Sequence, residues 1–266
     1  MKSGSRRSRI ARKAFTLLEV VLSLLLITTI VFFGKKFSDI SADNVRSLEE
    51  IKMVDGELNS LLAGIRSDLG STVLLGKNQP AFEIRNRDEG NGFDMFFFTT
   101  NNEKHITMAV KYGISNLEFG NIEIQRTLLS DLATLELQNA LSSGISFEKF
   151  FANVSSSQKQ IRKCILTLSD FRVRLAIKNF NGKIIFFYPN MPVIYFPGAL
   201  IGEKSDEKFT LPGNLLFVDV TARAFLKSDA AKFNSLKVKN ASEAREFLFF
   251  QSRKSFGRIT FNAMSF

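Results

Sequence analysis

The sequence has little of the chemistry on which most enzymes depend. Its 266 residues include one histidine, His105, and one cysteine, Cys164. A single cysteine excludes a disulfide within the chain, and a single histidine excludes a metal site built on two histidine ligands. The motifs H-E-x-x-H, C-x-x-C and G-x-S-x-G and a glycine-rich phosphate loop are all absent. These absences weigh against an enzymatic function.

The few reactive side chains that are present are each expected to have a non-catalytic role. His105 lies at the start of a predicted strand, where we expect a solvent-facing or strand-edge side chain, and Cys164 has the apolar neighbours of a buried, inert thiol. The acidic group Glu203, Asp206 and Glu207 lacks the dense ligand spacing of a calcium loop, so we favour a solvated loop over a calcium site. We therefore predict no catalytic residue, no metal and no cofactor.

The first 14 residues contain no acidic side chain. They contain six basic residues, Lys2, Arg6, Arg7, Arg9, Arg12 and Lys13. Without these 14 residues, the formal charge of the chain would fall from +10 to +4. The remaining lysines and arginines are scattered along the sequence, so a nucleic acid is not an expected partner.

An apolar segment from Phe15 to Phe33 follows the basic residues directly. At about 1.5 Å per residue, a helix of this length nearly spans the ~30 Å hydrocarbon core of a bilayer. The basic residues predict that the amino terminus stays cytoplasmic and that the chain beyond Lys36 lies across the membrane. A secretory signal would place its small residue after the apolar region, whereas here Ala14 precedes it. Cleavage after Ala14 would leave the apolar segment on the mature chain.

Glu19 is the one ionisable residue within this apolar segment. Burying a carboxylate in lipid costs at least ~2.5 kcal/mol on insertion scales, so we expect this group to have a partner. Cleavage before Phe15 would create a terminal ammonium four residues from Glu19. One turn of helix can bridge that separation within or between subunits.

The basic residues, Ala14 and the run F-T-L-L-E from Phe15 to Glu19 together resemble the amino terminus of type IV prepilins and pseudopilins. The resemblance implies that prepilin peptidase cuts between Ala14 and Phe15 and N-methylates Phe15. It also implies that Glu19 is the glutamate required for filament assembly. The family usually has glycine where this chain has Ala14. The implied location is the inner membrane, with a single span and a periplasmic carboxyl-terminal domain.

Beyond the apolar segment, the periodicity predicts that the helix continues. Apolar residues recur three and four positions apart from Val45 to Leu69, which is typical of an amphipathic helix. We expect Gly70 or Gly76 to end it. The predicted organisation is a leader over residues 1–14, a transmembrane or filament-core helix over 15–36, an amphipathic continuation over 37–76 and a β-rich globular domain over 77–266.

From about residue 80 the apolar period changes from 3.6 to 2, which indicates strands with one buried face. The predicted strands cover residues 81–86, 93–99, 106–112, 117–127, 171–178, 183–188, 215–225 and 258–262. Asn181-Gly182 predicts a tight hairpin. Short helices and a surface loop are expected over 128–163, a long proline-containing loop over 189–210 and a helix over 242–251. The fold class is therefore α+β, with a long amino-terminal helix and an antiparallel β-rich domain of the pilin type.

The order of these elements is similar to that of the J-type minor pseudopilins of type II secretion systems. The similar segments are Phe93–Thr99, Ile106–Tyr112 and Leu117–Arg126, and later Ile165–Lys178 with its hairpin. The resemblance implies a structural subunit, at the tip of a pseudopilus, that supports protein export across the outer membrane. The implied partners are prepilin peptidase, other minor and major pseudopilins, the inner-membrane assembly platform and membrane lipid.

Two other functions fit parts of the same sequence. A minor pilin of a type IV pilus or of a DNA-uptake system would share every amino-terminal feature. A membrane-anchored periplasmic enzyme is less favoured, because no cluster of reactive side chains is visible in the sequence.

Overall fold

The structure is a computed structural model that describes residues 17–76, 79–88, 92–101, 106–118, 121–163, 168–189, 191–204, 207–260 and 264–265. Along these residues the helices are α1 (Leu17–Gly70), α2 (Asp131–Ser142), α3 (Phe147–Asn153), α4 (Lys227–Lys239) and α5 (Ala241–Gln251). A short 3₁₀ turn covers Ser156–Gln158. The chain separates into two units, residues 1–49 and 50–266, and α1 contributes to both.

The strands of the described residues all lie in the second unit. The first seven are β1 (Val73–Leu74), β2 (Phe82–Asp88), β3 (Gly92–Asn101), β4 (Ile106–Glu118), β5 (Asn121–Leu129), β6 (Lys159–Lys163) and β7 (Leu168–Lys178). The later ones are β8 (Ile184–Phe187), β9 (Val193–Phe196), β10 (Ala199–Lys204), β11 (Glu207–Pro212), β12 (Asn214–Ala224), β13 (Arg253–Thr260) and β14 (Met264–Ser265).

Most of these strands form one antiparallel sheet. Its order is β11-β10-β9-β2-β3-β4-β5-β7-β12-β13, with β6 paired to β5 and β8 paired to β7. The short strands β1 and β14 form a separate parallel pair. The α+β class is therefore confirmed, because a long apolar helix precedes an antiparallel β-rich domain.

One face of the sheet is covered by the second half of α1. Five apolar residues of that helix, each three or four positions after the last, are buried: Val54, Leu58, Leu62, Ile65 and Leu69. They belong to one cluster with inward-facing strand residues such as Phe97, Val173 and Val220. Burying a side chain of this size stabilises the fold by about 1.5–3 kcal/mol, so this half of α1 is an integral part of the domain.

Two short helices cover part of the opposite face. Phe96 and Phe98 of β3 point away from α1 and pack against Phe147 and Phe151 of α3, together with Leu137 of α2. Because successive residues of a strand face opposite sides, β3 must be apolar at nearly every position to serve both clusters. Its run from Phe93 to Phe98, interrupted by Asp94, meets that requirement.

A third cluster joins the two carboxyl-terminal helices. Phe225, directly after β12, packs against Phe233 of α4 with ring centroids 4.8 Å apart, and Ala244 and Leu248 of α5 complete the cluster. The Asn240 side chain accepts hydrogen bonds from the first backbone N–H groups of α5 and so fixes where that helix begins.

Several predicted elements are confirmed. Helix α1 ends at Gly70, the first of its two candidate stops, and α5 matches the helix predicted over 242–251. Two short helices do occur within 128–163. Strands β7 and β8 form the predicted hairpin, in which Gly182 has φ of +78°.

Other predicted boundaries are wrong. A single strand over 117–127 is impossible, since Glu118 of β4 pairs with Asn121 of β5 across a hairpin. The surface loop expected within 128–163 includes strand β6 as well as a 3₁₀ turn, because β5 provides a hydrogen-bonding partner for β6. Helix α4 was not predicted. Strand β13 begins at Arg253, five residues before the start predicted for the last strand.

The long loop predicted over 189–210 contains instead three strands, β9 to β11. Pro197 and Gly198 separate β9 from β10, and Gly198 adopts φ of +96°, as the third position of a type II turn requires. Within β10, Gly202 leaves room for the ring of Phe209, which a Cβ atom would meet at 2.0 Å. Proline and glycine therefore mark tight turns and close packing here.

Candidate functional site

The first half of α1 exposes its apolar side chains. From Leu17 to Leu48, the large hydrophobic residues are between 46% and 85% exposed. Its most apolar 18-residue window has a mean hydropathy of 2.4 and contains no buried residue. Among the helices that the structure describes, α1 is the one long and apolar enough to cross a membrane. Residues 17–33 of this half are the described part of the apolar segment predicted above.

The hydroxyl groups of the apolar segment bond within the helix itself. Ser23 Oγ donates to the Glu19 carbonyl at 2.7 Å, and Thr29 Oγ1 donates to the Leu25 carbonyl at 2.7 Å. Thr28 Oγ1 lies 3.0 and 2.9 Å from the carbonyls of Leu24 and Leu25. Such bonds satisfy hydroxyl donors without water, as a low-dielectric environment requires.

The structure places Glu19 in the first described turn of α1, with an exposed side chain. The amino-terminal end of a helix carries a partial positive charge, so an acidic side chain is favoured there. Ala14 and Phe15, the other predicted site residues, lie outside the described residues. The structure therefore locates one of the three predicted site residues.

The globular unit contains no group of three or more histidine, cysteine, aspartate or glutamate side chains suited to hold a metal, among the residues that the structure describes. His105, Cys164 and Asp206 lie outside those residues. The backbones of Glu203 and Glu207 belong to the paired strands β10 and β11, where a loop was expected.

A partly buried ion pair links the end of α1 to the sheet. Asp68 accepts two hydrogen bonds from Arg126 of β5, at 2.7 and 3.0 Å, and a third from the Tyr112 hydroxyl of β4, at 2.6 Å. Burial, reinforced by the Asp68 charge, raises the pKa of Tyr112 far above its ordinary value. Tyr112 therefore stays protonated and acts as a donor in this structural clamp.

One feature of the sequence points to part of this clamp. Arg126 follows Ile122 and Ile124 at two-residue spacing, so it falls on the buried face of β5. A cation at such a position requires an anionic partner. That partner, Asp68, lies 58 residues away on another element, and the pairing was not predicted.

A buried carboxylate, that of Glu83, fixes the start of α3. Glu83 of β2 is 1% exposed, accepts the backbone N–H of Phe147 at 3.2 Å and pairs with Arg85. Burial raises the pKa of this carboxyl despite the hydrogen bonds that oppose the shift. A perturbed carboxyl is a candidate for catalysis, but its bonds to Phe147 and Arg85 account for it structurally.

One cavity among the described residues lies beside α2. Its volume is about 420 Å³, and its walls include Leu74, Ile106, Leu135 and Asp131. A largely apolar wall with one carboxylate provides neither a nucleophile paired with a base nor a set of metal ligands. The cavity therefore offers no recognisable chemistry.

Comparisons with protein family models, with curated protein sequences and with solved structures find no match to this chain. Among the described residues, the feature with the clearest physical character is the apolar segment of α1 with Glu19.

Proposed function

We propose that this chain is a minor pseudopilin, a structural subunit of a type II secretion pseudopilus. In this role, the first half of α1 spans the inner membrane before assembly and packs among neighbouring helices afterwards. The globular unit lies in the periplasm. Prepilin peptidase, the assembly platform and the other pseudopilins act on or contact the chain through the amino-terminal segment.

The observation that carries this proposal is the change in exposure along α1. Large apolar residues of the apolar segment, such as Leu25 and Phe33, are exposed, whereas Leu58 and Ile65 of the same helix are fully buried. Exposed apolar area of this extent is unstable in water, and lipid or other subunits would cover it. In a subunit that moves from the membrane to a filament, lipid covers this apolar surface before assembly and neighbouring subunits cover it afterwards.

Glu19 has a defined role under this proposal. Cleavage after Ala14 creates an ammonium group at Phe15, one helical turn from the Glu19 carboxylate. An ion pair between them, within one subunit or between neighbours, offsets the cost of placing a carboxylate in an apolar surrounding. The pair also fixes the register of adjacent helices, since a misplaced subunit would leave both charges unpaired.

Mass spectrometry of the amino terminus tests the proposal most directly. In cells with prepilin peptidase, we expect a chain that begins at N-methylated Phe15, and in cells without it a chain that retains its leader. Ala14→Trp should block cleavage, and Ala11→Trp, in the same leader, should not. An unprocessed leader in both strains would exclude the prepilin class.

A substitution at Glu19 tests its role in assembly separately from processing. Glu19→Val should leave insertion and cleavage intact but greatly reduce co-purification with other pseudopilins. Asp39→Val, which removes another exposed acid of α1, is the matched control and should assemble normally. Normal assembly of Glu19→Val would contradict the assigned role. Loss of pili rather than of secretion on deletion of the chain would indicate the type IV pilus alternative.

A further inference from the structure

A basic cavity lies on the open face of strands β7, β12 and β13, opposite the face that α1 covers. Its volume is about 230 Å³. Three rows of side chains cross these strands in register: Asp170, Arg223 and Lys254; Arg172, Thr221 and Phe256; and Arg174, Asp219 and Arg258. The face therefore carries five cations and two carboxylates, with the Thr221 hydroxyl at its centre.

One of the two carboxylates is saturated by its neighbours. Asp219 accepts hydrogen bonds from Arg258 at 2.8 and 3.1 Å and from Arg174 at 3.0 Å. Burial acts to raise the pKa of Asp219, but the bonds from Arg258 and Arg174 outweigh it and hold that pKa below its usual range. Asp219 is thus ionised and fully engaged, and it has no capacity left for the rest of the face.

The cations of the first row are not matched in the same way. Asp170 accepts from Arg172 at 2.9–3.1 Å, but its distance to Arg223 Nε is 3.8 Å. Arg223 Nη1 donates to the Phe249 carbonyl at 3.1 Å, but Arg223 Nε is buried without a hydrogen-bond acceptor. Lys254 has no ion pair with any residue that the structure describes. Like charges directly opposite on neighbouring strands, such as Arg223 and Lys254, destabilise a sheet. An anion placed between them would remove that cost.

Aromatic side chains form the walls of this face. The guanidinium of Arg223 lies 4.8 Å from the Phe249 ring, and that of Arg258 lies 4.1 and 6.0 Å from Phe217 and Phe256. Phe249, Phe256 and Tyr188 are each at least half exposed. Arginine with exposed aromatic residues is the composition that protein–protein interfaces favour at their centres.

We propose that this cavity binds an aspartate or glutamate side chain of a partner protein, with the apolar neighbours of that residue resting on the aromatic walls. Arg172, Arg223 and Lys254 surround the bound carboxylate, and Thr221 provides a hydroxyl donor. A nucleic acid strand fits less well, since it needs cations along a track, whereas here they converge on one small cavity between two carboxylates. The inference is independent of the proposed pseudopilin function.

Peptide binding to the full chain in phosphatidylcholine nanodiscs tests this inference. The probes are a fluorescent Gly-Leu-Glu-Leu-Gly peptide and its Gly-Leu-Gln-Leu-Gly analogue, with empty nanodiscs as the blank. We expect the glutamate peptide to bind about tenfold more tightly, since a charge-assisted hydrogen bond contributes roughly that factor. The advantage should shrink as salt is raised.

Two exposed cations provide the variants. Lys254→Gln and Arg172→Gln should each reduce binding of the glutamate peptide several-fold, while Lys183→Gln, in the β7–β8 hairpin, should not. Lys254→Gln should also raise the thermal unfolding midpoint slightly, which shows that weaker binding does not reflect misfolding. Equal binding of the two peptides, or no binding of either, would overturn the inference. So would tighter binding of a ten-residue oligothymidylate, which would identify a nucleic acid site instead.

Discussion

The two halves of α1 differ in the exposure of their apolar side chains and in the hydrogen-bond partners of their polar ones. In the half before Glu50, apolar residues are exposed and the hydroxyls of Ser23, Thr28 and Thr29 bond to their own helix. In the half after it, five apolar residues from Val54 to Leu69 are buried and polar residues such as Asp68 bond to other elements. The first half is built to be covered by something outside the chain, and the second is built into the domain.

The largest effect should come from apolar truncation in the buried half. Leu58→Ala should destabilise the globular unit by about 2–5 kcal/mol, because it opens a cavity in a fully buried cluster. Leu25→Ala, in the exposed half, should change the same stability by less than about 0.5 kcal/mol.

Tyrosine fluorescence during guanidinium unfolding of the full chain in detergent measures this difference cleanly. The chain has no tryptophan, and its three tyrosines, Tyr112, Tyr188 and Tyr195, all lie in the globular unit. Similar destabilisation by both variants would mean that both halves of α1 contribute to the stability of the globular unit, and would contradict the comparison.

A smaller but still clear contrast should separate two acidic residues of α1. Asp68→Ala leaves the partly buried Arg126 without its acceptor and should cost about 2–3 kcal/mol. Asp43→Ala removes only a surface pair with Arg46, in which both side chains are more than three-quarters exposed, and should cost less than about 0.5 kcal/mol. The same fluorescence measurement applies, and a neutral Asp68→Ala would show that the clamp does not stabilise the domain.

A third expected effect is a pH-dependent contribution of Asp219, in the sheet, to the stability of the domain. The pKa of Asp219 is lower in the folded chain than in the unfolded chain, so its contribution is present above its unfolded pKa and is lost as pH falls through its folded pKa. Asp219→Asn should therefore cost about 1–2 kcal/mol at pH 7, and this cost should vanish in strong acid. Unfolding midpoints of both proteins between pH 2 and pH 7 check the expectation. A cost independent of pH would contradict the role of the charge.

The sequence predicts those features that depend on local periodicity. The length and apolar character of α1, its end at Gly70 and the strands around residues 93–99 and 171–178 all follow from spacing and turn residues. The Asp68–Arg126 clamp and the basic cavity do not, because each joins residues that only the sheet topology brings together. The loop prediction over 189–210 is wrong because a proline followed by glycine occurs in tight turns as well as in loops. Here Pro197-Gly198 forms a tight turn between two strands.

The smallest effect should come from hydroxyl removal. Thr28→Val, in the apolar segment, removes a donor already satisfied within its own helix and should change membrane insertion by less than about 0.5 kcal/mol. Thr99→Val, in contrast, removes a buried donor to the Asp68 carbonyl, one of the last carbonyls of α1, and should destabilise the domain by about 1 kcal/mol.

An insertion assay for Thr28→Val and tyrosine fluorescence for Thr99→Val measure the two effects. The Thr28→Val variant is the more informative of the two about the exposed half of α1. If Thr28→Val inserted normally but assembled poorly, its hydroxyl would have a partner on a neighbouring helix. The exposed half of α1 would then recognise other subunits through polar contacts as well as through apolar surface.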